Sequence, residues 1–297
     1  MGFPLQALNR LLPDPRPGLV FEIGDEVLVG VRRSGRVIDA SAERPIPAPA
    51  AEGPGGKRDP DLLAAIDGIL RELAPVPSSN TAVLLPDRDA RLAVFDLERL
   101  PRRTQELRSA VEERLSHSLP FRIRDARISY RIQGGAGSPS VLAAAASAAG
   151  VRRYEAAFEA AGLIPGYVGV ATAAGLNLIE DGPMTVLAKL GGDALTIVAI
   201  EEGTVRLVRR IALAVRSPAD PEGAVNEILA DLFPTVVYIE ENLRTPVSRL
   251  LLCGFGDLLG PATRIMESDV QVPVETLPGA GGNRDSRGAG LMGYLHG

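Results

Sequence analysis

The sequence predicts an α/β protein: two mixed sheets flanked by helices, made by duplication, with a small α+β insertion in the first half. Three observations carry this. A three-stranded meander pattern, strand–turn–strand–turn–strand, runs over residues 19–40 and recurs over 186–211. Each copy is followed by alternating helical and strand-like stretches, which place helices on a mixed sheet. Residues 89–133 interrupt the first alternation with a strand, an amphipathic helix and a strand of their own.

The two meanders agree in phase. With FEIGDEVLVGVRRSGRVID set beside AKLGGDALTIVAIEEGTVRLV, Glu22 falls opposite Lys189 and Gly24 opposite Gly191. Asp25 falls opposite Asp193, and the Ser34-Gly35 turn opposite Glu202-Gly203. The spacing then predicts, in chain order, a Pro/Ala/Gly-rich loop over 41–58 and a helix opened by Asp59 as N-cap with Pro60 behind it. A buried strand follows over 81–86. The insertion comes next: a strand over 91–97, a helix over 101–119 starting at Pro101, and a strand over 124–133. A GGAGSP turn over 134–139 leads to an alanine-rich run that reads as close packing. After it come a helix over 150–162, a strand over 165–170 and a helix over 171–180. The second half repeats the logic: meander 184–211, helix 222–243, strand 248–253, helix 257–268, a short strand at 272–274 and a last helix over 285–296. The glycine-rich stretch 279–290 reads as a loop into that helix. Residues 1–17 read as a short Pro-rich arm.

Composition bounds the chemistry. A hydrophobic share of 45% over 297 residues supports a packed core. A net charge of −5 argues against a general nucleic-acid or anionic-membrane binder. One cysteine, Cys253, excludes a disulfide framework and a cysteine zinc site, and two histidines, His117 and His296, leave no histidine metal site or Ser-His triad. The arginines of helix 101–119 alternate with glutamates, which reads as a solvated ion-paired face. No apolar signal segment opens the chain, and the longest uncharged run, 160–179, is broken by Pro165, glycines and Asn177, so the expectation is a cytoplasmic protein without a membrane span.

Glycine turns after buried strands are also what a phosphate-cradling loop needs, because backbone N–H groups approach an anion where no Cβ intervenes. An ordinary meander with permissive turns is the alternative. The phosphate reading makes Gly24, Gly191 and Gly192 candidate binding residues, with Glu22 and Lys189 at the two strand ends.

Three stretches carry a resemblance: 97–132, with a Pro-led helix, a Pro120-Phe121 turn and a strand near a tyrosine; 141–178, with helix, "aaGL-P", strand and helix; and LLLCGFGDLLGP at 250–261. Together the chain resembles the type IV pilus assembly protein PilM family, within the actin-like (RNase H-like) fold. The resemblance implies a first half of 1–88 with 134–180 and 279–297, an inserted subdomain at 89–133, and a second half at 181–278 with a reduced outer subdomain. It implies a nucleotide cleft between the halves, to which Gly254 and Gly256 of the adenosine turn belong. It also implies a groove beside the insertion, with Pro120 and Phe121, that receives the cytoplasmic N-terminal peptide of a PilN-like inner-membrane partner.

The sequence departs from that pattern. Glu22, Asp25 and Glu26 stand where small hydroxyl residues would donate to phosphate, Lys189 takes the usual acidic position, and Cys253 and Phe255 replace glycines. A Glu22–Lys189 pair across the cleft is expected in place of Mg–nucleotide, with ATP and Mg²⁺ bound weakly or not at all. The reading is therefore a scaffold of a pilus or secretion assembly, held at the inner membrane through its partner. A working Mg-ATPase, or the cytoplasmic part of a type II secretion protein L-like component, are the alternatives; a small-molecule kinase lacks a candidate Asp base. A homo-oligomer is left open.

Overall fold

A computed structural model of the chain describes residues 17–35, 37–46, 60–74, 80–98, 100–101, 103–134, 139–213, 220–280 and 286–297. The expected N-terminal arm, Asp59 and Arg102 lie outside these residues. So do most of the loop after residue 46, the centre of the 134–139 turn and part of the glycine-rich loop.

The duplication is visible in the sheets. The first holds β1 (Leu19–Ile23), β2 (Val27–Ser34), β3 (Val37–Pro45), β4 (Asn80–Leu85) and β8 (Ile164–Val170), in the order β3-β2-β1-β4-β8. The second holds β9 (Thr185–Gly191), β10 (Ala194–Glu201), β11 (Thr204–Ala212), β12 (Arg249–Cys253) and β13 (Val274–Thr276), in the order β11-β10-β9-β12-β13. Pairing matches position by position: the meander strands are antiparallel, and the last two strands join parallel. Both outer hairpins even carry a register shift, between Arg32 and Arg33 in one and Ala199 and Ile200 in the other. β1 lies at the centre of its sheet and every residue of LVFEI is buried. Such a strand reads as a continuous apolar run rather than an alternation.

Helices cover the sheets. On the first, α1 (Pro60–Leu73) and α3 (Ala148–Ala160) pack Ile66, Ile69 and Phe158 against Phe21, whose ring meets Phe158 edge to face at 5.1 Å. The opposite face takes α4 (Ala171–Gly175) and α7 (Ala289–His296). On the second sheet, α5 (Pro221–Asn242) and α6 (Leu259–Val270) cover one face. The other face meets the rest of the molecule: Leu187, Val198, Val205 and Leu251 pack with Leu142, Leu176 and Ala289. The halves are thus joined by an apolar seam as well as by the cleft above it.

The third sheet holds β5 (Ala90–Asp96), β6 (Ala126–Gln133) and β7 (Ser140–Ser147), in the order β5-β7-β6, covered by α2 (Thr104–Ser116). Its middle strand is the alanine-rich run. Ala143 and Ala145 are buried under Leu107, Val111 and Leu115, so small side chains let the helix sit close. A boundary at residue 133 would separate β7 from both strands it pairs with.

Several expected boundaries move for local reasons. β3 continues to Pro45 where a loop was expected, because it keeps pairing with β2 through Val27. α2 begins at Thr104, with Pro101 outside it and Arg103 at the cap. The helix over 171–180 shortens to Ala171–Gly175 and a 3₁₀ turn over Leu176–Leu178. Among the described residues, no helix is long and apolar enough to cross a membrane.

Candidate functional site

The repeated turns face each other across the cleft. β1 ends at Ile23, and its turn closes with Gly24 N–H donating to Val27 O at 2.8 Å. β9 runs to Gly191, and Gly192, at φ 53°, turns the chain into β10. The Asp25 carboxylate lies on the Gly191-Gly192 turn. A Cβ on Gly191 would stand 2.7 Å from its Oδ2, and one on Gly192 3.2 Å from its Cγ. The glycines therefore do what the phosphate reading needs, admitting an anion against bare backbone. The anion is the protein's own.

Asp25 is held from behind by Arg88, whose guanidinium pairs with Asp25 Oδ1. Arg88 belongs to the 3₁₀ turn Asp87–Asp89, which leaves the carboxyl end of β4. In an open α/β sheet that is where ligand-binding groups gather. The flanking carboxylates of this turn are also engaged. Asp89 Oδ2 lies 3.7 Å from Arg88 Nε and accepts the Tyr154 hydroxyl at 2.5 Å. Burial, then the Asp89 charge, pushes the Tyr154 phenol up to about 12. Asp87 accepts the Thr172 hydroxyl at 2.5 Å and, on its other oxygen, the Thr172 N–H at 3.3 Å.

Asp87 is also the carboxylate that Lys189 reaches, Nζ to Oδ2 at 3.2 Å. This corrects the expected pairing: Glu22 is near enough to act on Lys189 electrostatically, but the ion pair of Lys189 is with Asp87. Burial works against the ammonium, and Asp87 together with Glu22 outweighs it, so the lysine's pKa is raised. Glu22 turns the other way. Leu291 N–H donates to its Oε2 at 2.8 Å, and Gly290 N–H adds a second bond, so the carboxylate caps the first turn of α7. Burial nonetheless pushes the Glu22 carboxyl up, against the pull of Lys189 and those N–H groups.

On the adenosine side, Gly254 has φ 74°, and a Cβ there would fall 2.3 Å from Leu190 O, so the turn needs glycine for its contact with β9. Gly256 has φ 51° with open space around it. The Phe255 ring, expected to fill adenine or ribose space, is buried in the core of the second half instead. Glu26 is exposed. His117, at the end of α2, is exposed as well.

A nucleotide with Mg²⁺ does not fit these residues as they stand. Its phosphates would meet Asp25 on the Gly191-Gly192 turn, with Glu22 and Asp87 behind, and Lys189 and Arg88 beside them already have carboxylate partners.

Pro120 is exposed and Phe121 half-buried, on the connection from α2 into β6. At the far end of β6 a cavity of about 250 Å³ opens between Arg131, Asn177, Asp181, Gly203 and Val205. Pro120 and Phe121 do not line it. Sequence reasoning found the two turns but missed Asp87, Arg88, Asp89, Thr172 and Tyr154. The legible signal was the DRD triplet directly after an uncharged buried strand.

No protein-family model and no curated protein sequence matches the chain. Solved structures do. One chain of a PilM–PilN type IV pilus biogenesis complex superposes with a TM-score of 0.67 at 19% identity, over 94% of this chain and 97% of that one. A protein of actin-like ATPase fold and unknown function from Bacteroides thetaiotaomicron gives 0.55 at 10% identity, over 94% and 95% of the chains. The cytoplasmic domain of EpsL, an inner-membrane component of the type II secretion system of Vibrio cholerae, gives 0.50 at 12%, over 80% and 82%. With its twice-repeated strand order and facing turns, the chain has the actin-like ATPase fold.

Proposed function

We propose that this chain is a cytoplasmic, PilM-like scaffold of a type IV pilus or related secretion assembly that works without turning over ATP. The observation that carries the second part is the Asp25 carboxylate seated on Gly191-Gly192 and held by Arg88. In this fold that turn is a phosphate site. Here a side chain supplies the negative charge, so the halves are held in one arrangement without a nucleotide. Support for the first part is the likeness to the PilM–PilN complex over nearly the whole chain. On this reading the inserted unit receives a short cytoplasmic peptide of a PilN-like inner-membrane protein. Pro120 and Phe121 stand at the near end of its groove and the Arg131 cavity at the far end, with β6, an edge strand, between them. The vestigial nucleotide residues are Gly24, Gly191, Gly192, Gly254 and Gly256, with Lys189 recruited to the inter-half contact with Asp87 and Glu22 to the cap of α7.

Two measurements test this separately. Thermal unfolding with and without about 1 mM Mg-ATP should coincide; a site of micromolar affinity would stabilise the fold by about 4 kcal/mol at that excess. A clear stabilisation by Mg-ATP would overturn the nucleotide-free reading. Calorimetric titration with the N-terminal peptide of the PilN-like protein should show binding that Phe121→Asp weakens about tenfold. Absence of binding would remove the partner assignment and leave the cleft reading untouched.

A further inference from the structure

The charge of this chain is uneven. Between Arg114 and Arg127 lie four arginines and one carboxylate, Asp125, in a molecule of net charge −5. All four arginines are exposed. Leu115, Leu119, Ile123 and Ile128 belong to one apolar cluster, so Arg114, Arg122, Arg124 and Arg127, each next to one of them or nearly so, emerge around one end of the inserted unit. Two backbone bonds fix the path between them. Ser118 N–H donates to Leu115 O at 2.9 Å, and Asp125 N–H donates to Arg122 O at 2.8 Å.

These arginines differ from those earlier on α2. There Arg103 meets Glu106 at 3.8 Å and Arg108 meets Glu112 at 2.8 Å, so the ion-paired face expected of the helix is present at its start. It ends before Arg114. Arg124 has its own neighbour Asp125 at 4.0 Å, with both side chains mostly exposed. Arg114, Arg122 and Arg127 make no ion pair among the described residues. Glu113, just before the run, is exposed as well and leaves the end of the unit positive.

The surface has an apolar centre, the exposed Pro120 and the half-buried Phe121. The cavity beside Arg131 lies at the other end of β6, so these four arginines do not line it. Cations spread over an exposed turn suit an extended anionic plane better than one enclosed phosphate. A bilayer of anionic lipid is such a plane, and the arginine fork matches phosphate oxygens. Single-stranded nucleic acid asks for exposed rings on which bases stack, and the Phe121 ring is half-buried. The net negative charge speaks for the chain as a whole. At a membrane surface the nearest groups decide, since charges beyond about 10 Å are screened at 0.1 M salt.

We propose that the turn from α2 into β6 is a docking surface for anionic phospholipid headgroups. Arg114, Arg122, Arg124 and Arg127 rest on the bilayer with Pro120 and Phe121 between them, and no segment inserts. The inference rests on the reading above only for which membrane is meant. There, the near end of the peptide groove faces the leaflet from which the partner's peptide emerges.

Co-sedimentation of the full chain with vesicles tests this. At low ionic strength the protein should pellet with vesicles containing phosphatidylglycerol and stay in solution with pure phosphatidylcholine, and salt should release it. An arginine at an anionic surface strengthens binding about fivefold, so Arg122→Glu with Arg127→Glu should weaken it at least tenfold. Both positions are exposed, so circular dichroism should be unchanged. Arg122→Lys with Arg127→Lys should keep most of the binding, because a headgroup plane asks for charge. Arg206→Glu with Arg264→Glu makes the same change in net charge at exposed positions of the second half and should leave binding as in the wild type. Equal affinity for the two kinds of vesicle overturns the proposal. So does an equal loss in both pairs of reversals, which would assign binding to net charge. Reversals at Arg122 and Arg127 that abolish retention of single-stranded RNA, or of the partner's peptide, while vesicle binding persists would assign the arginines to that ligand and overturn it too. The vesicles carry no protein, so failure here leaves the peptide reading standing.

Discussion

Lys189 has two carboxylate neighbours of different kinds, Asp87 as ion-pair partner and Glu22 at longer range, with Cys253 paired beside it on β12. Replacing it by methionine keeps the volume and removes the charge that two buried carboxylates face. The expected cost is about 3 kcal/mol, the scale for breaking a buried pair from one side, read as a lowered urea midpoint. Asp87→Asn should cost less, since Thr172 still finds an acceptor there. Tyr154 gives a prediction in pH. Its folded value, about 12, lies above the ordinary 10.0, so its contribution is complete below pH 10 and is lost as pH rises toward 12. Melting temperature should therefore fall over that window in the wild type, and fall less steeply in Tyr154→Phe. Equal slopes would mean that the Tyr154–Asp89 hydrogen bond carries no weight.

Among elements, α7 is the one whose position depends most on small residues. A Cβ on Gly293 would lie 2.1 Å from Ala174 O, and one on Gly290 2.5 Å from Ala171 O, so α7 and α4 touch backbone to backbone. Gly293→Ala must push α7 off α4 and away from Glu22, at a cost of about 2 kcal/mol. Hydrogen exchange should show the Leu291 amide losing protection first. The sequence showed that a last helix exists, but not that Glu22 would cap its N-terminus. That bond joins residues 269 positions apart, and no local pattern records it. The strands were legible for the opposite reason: the Val/Ile/Leu runs and glycine turns of the two meanders are local, and their phase agreement exposed the duplication. The Glu22–Lys189 pairing failed because it considered only the two repeated positions. Asp87 enters from a third segment, the DRD turn, whose approach depends on β4 lying beside β1. The start of α2 shifted from Pro101 to Thr104 because Arg103 keeps an extended backbone, φ −106° and ψ 135°.

For the whole molecule, the apolar seam and the charged contacts above it act on the same motion. Leu142, Leu176 and Ala289 hold one face of the second sheet, while Asp25 on Gly191-Gly192 and Asp87 on Lys189 hold the end of its central strand β9. Opening the cleft would break both charged contacts and expose Lys189 and Asp87, so the halves should unfold in one transition. Asp25→Ala combined with Lys189→Met should split it into two calorimetric steps if those contacts supply the coupling; a single step would assign the coupling to the seam. The second sheet, β9 through β13, is contiguous in sequence and closes its own order as soon as β13 exists. The first sheet has all its strands by Val170, but its cover is not finished then. The carboxylate in its opening strand still waits for the amide of residue 291. During synthesis on the ribosome, the half that is made later is therefore the one able to complete itself earlier, while the first half stays without its α7 cover until residues 289–296 have emerged.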